Sequence, residues 1–455
     1  MKPGRSMMAW LRLALGLGLV GALLFGGWFS GRAAPGAADY ACAPLPPPAG
    51  STVSVSTVAA LQAAVNSAAP GVTILVADGV YNLNGAYLLI DTPNVTLRSA
   101  SGNREAVVLD GNYITTEIVQ VTASNVTIAD LTLREAYDHP IHVMSTSSSD
   151  TLNTLIYNVH IIDPGQQGIK INPYTGDNAA HFPDYGTVAC SHIELTGAGR
   201  SQVRDNCYTG GVDGHQARGW TIRDNHIEGF WCSSGLSEHA VHMWVSSRDT
   251  LVERNRLVNN ARGVGFGLQE LASNKRTYPD NPCPSAAGGY VDHYGGVIRD
   301  NFVFANDSSL FASEYGFDCG ICLWQACGAR ALHNTVASTQ APFSGIEWRF
   351  SRTNVTIINN LLTHNLMDRG GVDSLSGNLQ YQPLSLFVDG SSGDLHLAST
   401  AAVAIDQVTA PTDAGADFDG DARPSGSLAD VGADELVSVR LYLPLLSFSD
   451  PPGSR

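Results

Sequence analysis

Short apolar stretches recur along this chain, each interrupted by an Asn or Asp and resumed on its far side. The clearest copies are Asn125-Val126-Thr127-Ile128-Ala129-Asp130, Thr221-Ile222-Arg223-Asp224-Asn225-His226-Ile227 and Leu251-Val252-Glu253-Arg254-Asn255-Arg256-Leu257. Two more are Val297-Ile298-Arg299-Asp300-Asn301-Phe302-Val303 and Thr356-Ile357-Ile358-Asn359-Asn360-Leu361-Leu362. Weaker copies lie at Asn94 to Leu97, Leu155 to Ile161, Val188 to Ile193 and Ala331 to Val336. One apolar anchor from each gives the series Leu97, Ile128, Ile156, Val188, Ile222, Val252, Ile298, Ala331 and Ile357, a period of about 30 residues. Val, Ile, Thr and Leu alternate around every anchor, which is strand periodicity. A unit this short cannot bury its apolar face alone, so the pattern predicts a stacked repeat.

A repeat of this length fits three short strands and three turns, the coil of a right-handed parallel β-helix, so the predicted class is an all-β solenoid. Insertions can enter the turns without disturbing stacked strands, which explains the uneven spacing. Asn and Asp tolerate the left-handed backbone of a bend, and stacked Asn side chains can bond the next coil. The Asn-Val-Thr triplets also match glycosylation acceptors, but their place inside the repeat favours a ladder role. Ahead of the repeats, Ser56 or Thr57 can cap a helix over Val58 to Ala68, with Leu61, Ala64 and Val65 on one face and Pro70-Gly71 as its stop. This short helix would cover the open end of the solenoid. The expected organisation is a signal or anchor over 1–38, a Pro-rich linker over 39–51, the β-helix over 52–400, a closing coil over 401–435 and a tail over 436–455.

Charge narrows the partners. With 26 basic against 42 acidic side chains and a net charge of −16, neither nucleic acid nor an anionic membrane is an expected partner. Lysine is confined to Lys2, Lys170 and Lys275. Lys2, Arg5 and Arg12 precede an apolar run from Leu13 to Phe29 and small residues through Ala38. That order predicts a secretory signal or, uncleaved, a membrane anchor. A secreted or cell-surface monomer is expected. Eight cysteines in an exported chain predict at least two disulfides, whose pairing the sequence leaves open. Cys319-x-x-Cys322 with Cys327 has no close fourth ligand for zinc, and disulfides are the stronger reading. Asp417-Phe418-Asp419-Gly420-Asp421 admits calcium as a cofactor, although its spacing is not that of an EF-hand.

The strand after each bend repeats as well, in the form Gly/Ala/Pro, apolar, X, apolar, Y. Examples are Pro140-Ile141-His142-Val143-Met144, Gly168-Ile169-Lys170-Ile171-Asn172, Gly211-Val212-Asp213-Gly214-His215 and Ala240-Val241-His242-Met243-Trp244. Alternation sends X and Y outward. Coils spaced roughly 4.8 Å apart then align His142, Lys170, Asp213, His242, Gly265, Cys322 and Glu347 in one column. Met144, Asn172, His215, Trp244, Gly267, Trp324 and Arg349 align in the next. Ordinary ladders favour Asn, Ser and Thr. Titratable groups of opposite sign in adjacent coils shift one another's proton affinity, as acid–base chemistry requires. Glu238 and His239 lie at the mouth of the same face. Trp348 falls at an inward position and is assigned to the core.

The pattern resembles the right-handed parallel β-helix proteins of the pectate-lyase-like superfamily over roughly residues 52 to 435. Leu61-Gln62-Ala63-Ala64-Val65, Pro70-Gly71 and Ala77-Asp78-Gly79-Val80-Tyr81 are similar to the opening coil of the alginate lyase and chondroitinase B group. Asp430-Val431-Gly432-Ala433-Asp434-Glu435 is similar to the closing segment of many secreted β-helix proteins. The resemblance implies a Lys or Arg base for the sugar C5 proton, a role Lys170 fits by type and strand, and calcium or Arg at the uronate carboxylate. The following coils give Asp213 and His242 where that group has its own Lys, Arg and calcium ligands. Glu314-Tyr315-Gly316-Phe317-Asp318 is similar to the start of a mannuronan C5-epimerase motif, but Cys319 and Gly320 break it. Fold alone does not set activity.

The leading expectation is cleavage of an acidic polysaccharide or surface glycan by β-elimination. Lys170 is the base, with His142 and Asp213 beside it and His215 and His242 as acid or orienting groups. Arg218, Arg262 or Arg349 would meet the carboxylate, and Trp244 and Trp324 would stack on sugar rings. Lys170 is expected on the solvent face, where its replacement would hardly affect stability. Alternatives are a non-catalytic glycan-binding protein and a glycoside hydrolase using Asp213 and Glu238 as paired carboxylates.

Overall fold

The structure, a computed structural model, describes residues 42–176, 179–269, 276–280, 283 and 291–437. The expected signal or anchor segment, 1–38, and all but the start of the tail lie outside the described residues. From Thr52 onward the chain winds into stacked coils, each supplying one short strand to each of three parallel sheets. The first sheet has 14 strands and the other two have 10 each. With right-handed crossovers, this is the right-handed parallel β-helix that the repeat predicts.

The anchors form one interior row. Leu97, Ile128, Ile156, Val188, Ile222, Val252, Ile298, Ala331 and Ile357 pair in successive register along the first sheet. All are fully buried. A second row in the second sheet runs Leu133, Ile161, Ile193, Ile227, Leu257, Val303 and Val336. Helix Val58–Asn66 closes the amino-terminal end, with the Thr57 hydroxyl accepting the Ala60 N–H at 3.1 Å and Leu61 and Val65 buried.

The bend between first and second sheets explains the Asn of the motif. Asp224, Arg254, Asp300, His333 and Asn359 each take a left-handed backbone there. The next residue in each coil is a buried asparagine whose amide spans two coils. Asn225, Asn255, Asn301, Asn334, Asn360 and Asn378 donate in sequence, each Nδ2 to the following Oδ1 at 2.8–3.0 Å. Each rung also satisfies a backbone carbonyl, as Asn301 Nδ2 does for Val252 at 2.9 Å. A second, exposed ladder links Asn94, Asn125 and Asn153.

Two segments depart from expectation. The Pro-rich stretch is strapped to the first sheet by Cys42–Cys190, by Tyr157 Oη donating to the Ala43 carbonyl at 2.6 Å and by Arg98 reaching the Pro46 carbonyl at 2.9 Å. The closing segment lies along the flank of the late coils, because the outward residues Phe302 and Phe304 are apolar and need cover. Phe387, Leu395, Leu397 and Phe418 pack on them, and buried Arg423 ties Asp300 to Glu435. In the Asp417 loop, one carboxylate oxygen accepts the Asp419 and Asp421 N–H groups and the other that of Glu435. The Asp417 carboxylate is thus engaged in organising its own loop.

His333 couples this architecture to pH. Its Nδ1 donates to the Asp430 carbonyl at 3.1 Å and its Nε2 accepts from Asn359 Nδ2 at 2.9 Å, which requires the neutral ring. Burial lowers its pKa from 6.5 to about 3, with the Arg423 charge adding to the effect. Folding therefore excludes a proton that the unfolded chain binds below pH 6.5, so this stabilisation is complete above 6.5 and is lost as pH falls toward 3. His333→Gln is expected to melt below wild type at neutral pH but to lose less on acidification to pH 5, in thermal melts at the two values.

For the ladder, Asn301→Ala removes the acceptor of Asn255 and the donor to Val252 at once. A loss of about 3 kcal/mol in chemical denaturation is expected. The exposed rung change Asn125→Ala is expected to cost under ~1 kcal/mol. Equal losses would deny the buried ladder its role.

Candidate functional site

The third sheet aligns the polar column as the repeat predicts. His142 pairs with Lys170, Lys170 with Asp213, Asp213 with His242, His242 with Gly265, Gly265 with Cys322 and Cys322 with Glu347. His215 pairs with Trp244 and Trp324 with Arg349 in the neighbouring column. Strand Gly210–His215 can seat Asp213 with no side chain over its flanking Gly214, where a Cβ would meet the Met243 sulfur at 2.4 Å.

The column is a packed ionic network. Lys170 Nζ donates to Asp213 Oδ2 and, at 3.0 Å, to the Tyr208 hydroxyl, and lies 3.1 Å from His215 Nε2. Asp213 Oδ1 accepts from Trp244 Nε1 at 2.8 Å, and Tyr208 Oη reaches Oδ2 at 3.3 Å. His215 Nε2 is 3.3 Å from the same Oδ2. Lys170 is buried with 9% of its side chain open, and Asp213 has none open. The expectation of a solvent-facing lysine is corrected: the adjacent carboxylate draws Nζ down into the sheet surface.

Burial would raise the Asp213 carboxyl, but Lys170 and His215 outweigh it and hold it well below the usual range. Burial and then the Lys170 charge keep His215 below its ordinary 6.5, so its ring is neutral at neutral pH. Burial, reinforced by Asp213, raises the Tyr208 phenol. His215 is partly open, with 23% of its side chain exposed, and Tyr208 is half-buried beside it. Its Nδ1 makes no hydrogen bond to a described residue.

Two His/Glu clusters flank this centre. Glu117 holds His142 Nδ1, while His142 Nε2 lies 2.6 Å from Asn172 Oδ1. His139 Nε2 bonds Gln167 at 3.0 Å. Against the pull of burial, His139 and His142 lower Glu117 to about 2. Burial lowers His139 to about 4. On the other side, His242 Nδ1 lies 2.7 Å from Glu238 and 3.7 Å from Asp213. Both carboxylates of the expected hydrolase pair thus face one imidazole. Each flanking cluster has ligand atoms close enough to hold a metal ion. A third such group lies on the second sheet, where His160, His192 and His226 stack with centroids 4.6 and 4.8 Å apart and Glu105, Glu194 and Glu228 serve as their partners.

The remaining expected residues are placed differently. Arg218 sits toward the first sheet, its backbone bridged to Arg248 and its Nε 3.5 Å from Asp249. Arg262 bonds Asp318 at 2.7 Å beneath the Trp324 ring. Trp324 is buried, its Nε1 donating to Glu347 at 2.6 Å. Trp244 is likewise covered, stacked on His242. Neither indole is an open sugar platform. Arg349 lies over Phe350, and Trp348 is core.

Tyr208, Glu117 and Asn172 were not among the expected site residues. Tyr208 arrives on a turn insertion, and Cys207–Cys232 staples that insertion to the one carrying Glu238. The cysteine beside Tyr208 is the only sequence mark of its position. Glu117 was legible only through its register with His139. All eight cysteines pair, the remaining bridges being Cys283–Cys327 and Cys319–Cys322.

No family model and no curated protein matches the chain. Among solved structures it is similar to an alginate lyase from Paenibacillus sp. str. FPU-7, at 17% identity and TM-score 0.49, covering 73% of this chain and 98% of that one. A pectate lyase aligns at 14% identity and TM-score 0.48, covering 82% and 90% of the two chains. Polygalacturonase from Erwinia carotovora ssp. carotovora aligns at 12% identity and TM-score 0.40, covering 73% and 94%. Likeness at these identities concerns the fold alone.

Lys170→Ala is expected to strand the Asp213 carboxylate in the sheet surface and to cost ~3–5 kcal/mol in urea denaturation. Lys170→Met combined with Asp213→Asn is expected to recover much of that loss. A single variant as stable as wild type would contradict the network.

Proposed function

We propose that this is an exported protein that cleaves an acidic polysaccharide by β-elimination at the Lys170, Tyr208, Asp213 and His215 centre. The observation that carries the reading is a partly open imidazole beside a buried carboxylate, an ammonium and a phenol on one sheet face. Four disulfides support export, since such bridges persist in oxidising compartments.

In this reading Lys170, which can only donate, donates to His215 Nε2 at 3.1 Å, so the imidazole carries its own proton on the outward Nδ1 and serves as the acid. The base role passes from Lys170 to Tyr208, whose hydroxyl donates to Asp213 Oδ2 at 3.3 Å. Tyr208 Oη takes the C5 proton of a uronate as its own proton passes to Asp213, electrons form the C4–C5 double bond and the C4–oxygen bond breaks. The leaving oxygen takes the Nδ1 proton of His215 as Lys170 protonates Nε2, and the proton on Asp213 returns to Lys170 across their hydrogen bond. The positive Lys170 also favours charge developing on the uronate carboxylate.

A panel of acidic polysaccharides, scored for ultraviolet absorbance and for reducing ends, tests this. Both signals are expected to rise together. His215→Ala is expected to lower kcat ~100- to 10,000-fold with the fold retained. Because His215 Nε2 must be unprotonated to accept from Lys170, the acidic limb of kcat/KM is expected to have its midpoint below pH 6.5. Reducing ends without absorbance would point to a hydrolase, and neither signal to a binding protein.

A further inference from the structure

We propose that Glu238, His239 and His242 form a binding site for one zinc-class divalent ion, independent of the proton-transfer reading above. Their three ligand atoms lie within 4.8 Å of one another, and both histidines are fully buried. Glu238 Oε2 is 2.7 Å from His242 Nδ1 and 3.8 Å from His239 Nδ1, and the two rings are 4.2 Å apart.

Hydrogen bonding fixes what His242 presents. Its Nε2 lies 3.2 Å from the Gly267 carbonyl oxygen, which can only accept, so Nε2 carries a proton. In the neutral ring, Nδ1 then turns a lone pair toward the Glu238 carboxylate. Two acceptors at 2.7 Å repel unless a proton lies between them or, with the pair opened slightly, both bind one metal ion. A ring N–H bonded to a backbone carbonyl is also the support that metal-bound histidines commonly have.

His239 decides between a proton and a metal. A doubly protonated His242 would satisfy Glu238 and leave His239 unexplained. Neither His239 nitrogen has a hydrogen-bond partner among the described residues, although the ring has no exposed surface. An orphaned buried imidazole is costly, yet the fold makes specific room for it. Gly265 occupies the column position on the next coil, and a Cβ there would meet His239 Nε2 at 2.5 Å. A metal joining Glu238, His239 and His242 gives one atom of each side chain a ligand role. Two imidazoles and one carboxylate suit zinc, whereas calcium prefers an all-oxygen shell. Asp213 Oδ1, 3.7 Å from His242 Nδ1, adds negative charge beside the ion. The sulfurs of Cys319 and Cys322 lie against the His239 ring, but as a disulfide they are not thiolate ligands.

The test is zinc binding to the full, oxidised chain, read by equilibrium dialysis and elemental analysis. A His139→Ala, His192→Ala background removes one ligand of the Glu117 cluster and the rung shared by the surface histidine stack. One zinc equivalent is expected there, and His239→Gln or Glu238→Gln is expected to weaken it by more than ~100-fold. Visible absorption of the cobalt-loaded double variant, displaced by zinc, gives a second readout that needs no variant at the site. No bound metal, or binding unchanged by His239→Gln, would overturn the proposal and leave a His242–Glu238 ion pair alone. Activity is not the readout, so failure of the β-elimination reading leaves this test intact.

Discussion

Registered stacking of each coil on the next is the constraint on which the rest of this structure depends. A slip of one residue in any strand would turn its apolar side chains to water and its polar ones inward. The buried asparagine ladder resists such a slip, because each amide meets both the next amide and a carbonyl of the preceding coil only in register. The left-handed residue before each rung makes the sharp bend between sheets. With that bend fixed, the third sheet must also stack in register, and its outward residues become columns.

The chemistry follows from what those columns hold. Four consecutive coils present His142, Lys170, Asp213 and His242, closer together than independent surface loops would hold them. Their mutual compensation permits burial. Asp213 is fully covered because Lys170, Tyr208 and Trp244 supply donors to its oxygens. The cost of desolvating such a pair is high unless donors and acceptors match, so the network is closed by partners from outside the column. Tyr208 comes from an insertion pinned by a disulfide, and Trp244 from the adjacent coil. The same sheet that builds the solenoid thereby carries a tuned set of ionisable groups, with His215 left partly open at its edge.

The flanks obey the same economy of partners. Where outward positions on the second sheet are histidines, neighbouring glutamates meet them. Where they become Phe302 and Phe304, the carboxy-terminal segment covers them. Its course along the side of the coils is therefore set by two apolar residues in the middle of the chain.

The sequence by itself determined the coil, the interior row from Leu97 to Ile357, the capping helix and the membership of both outward columns. Each depends on alternation or spacing, and backbone geometry converts these directly into side-chain direction. Burial and partnership were decided by the tertiary structure. Lys170 reads as an exposed lysine until Asp213 and Tyr208 close around it, and Trp244 and Trp324 read as sugar platforms until their N–H groups find carboxylates. Arg218 and Arg262 read as free cations until Asp249 and Asp318 meet them. Glu117, Tyr208 and the place of His239 over Gly265 came only with the fold. Period-two alternation says which way a side chain points. It carries no information about what a turn insertion or a neighbouring coil, tens of residues away, brings to meet it.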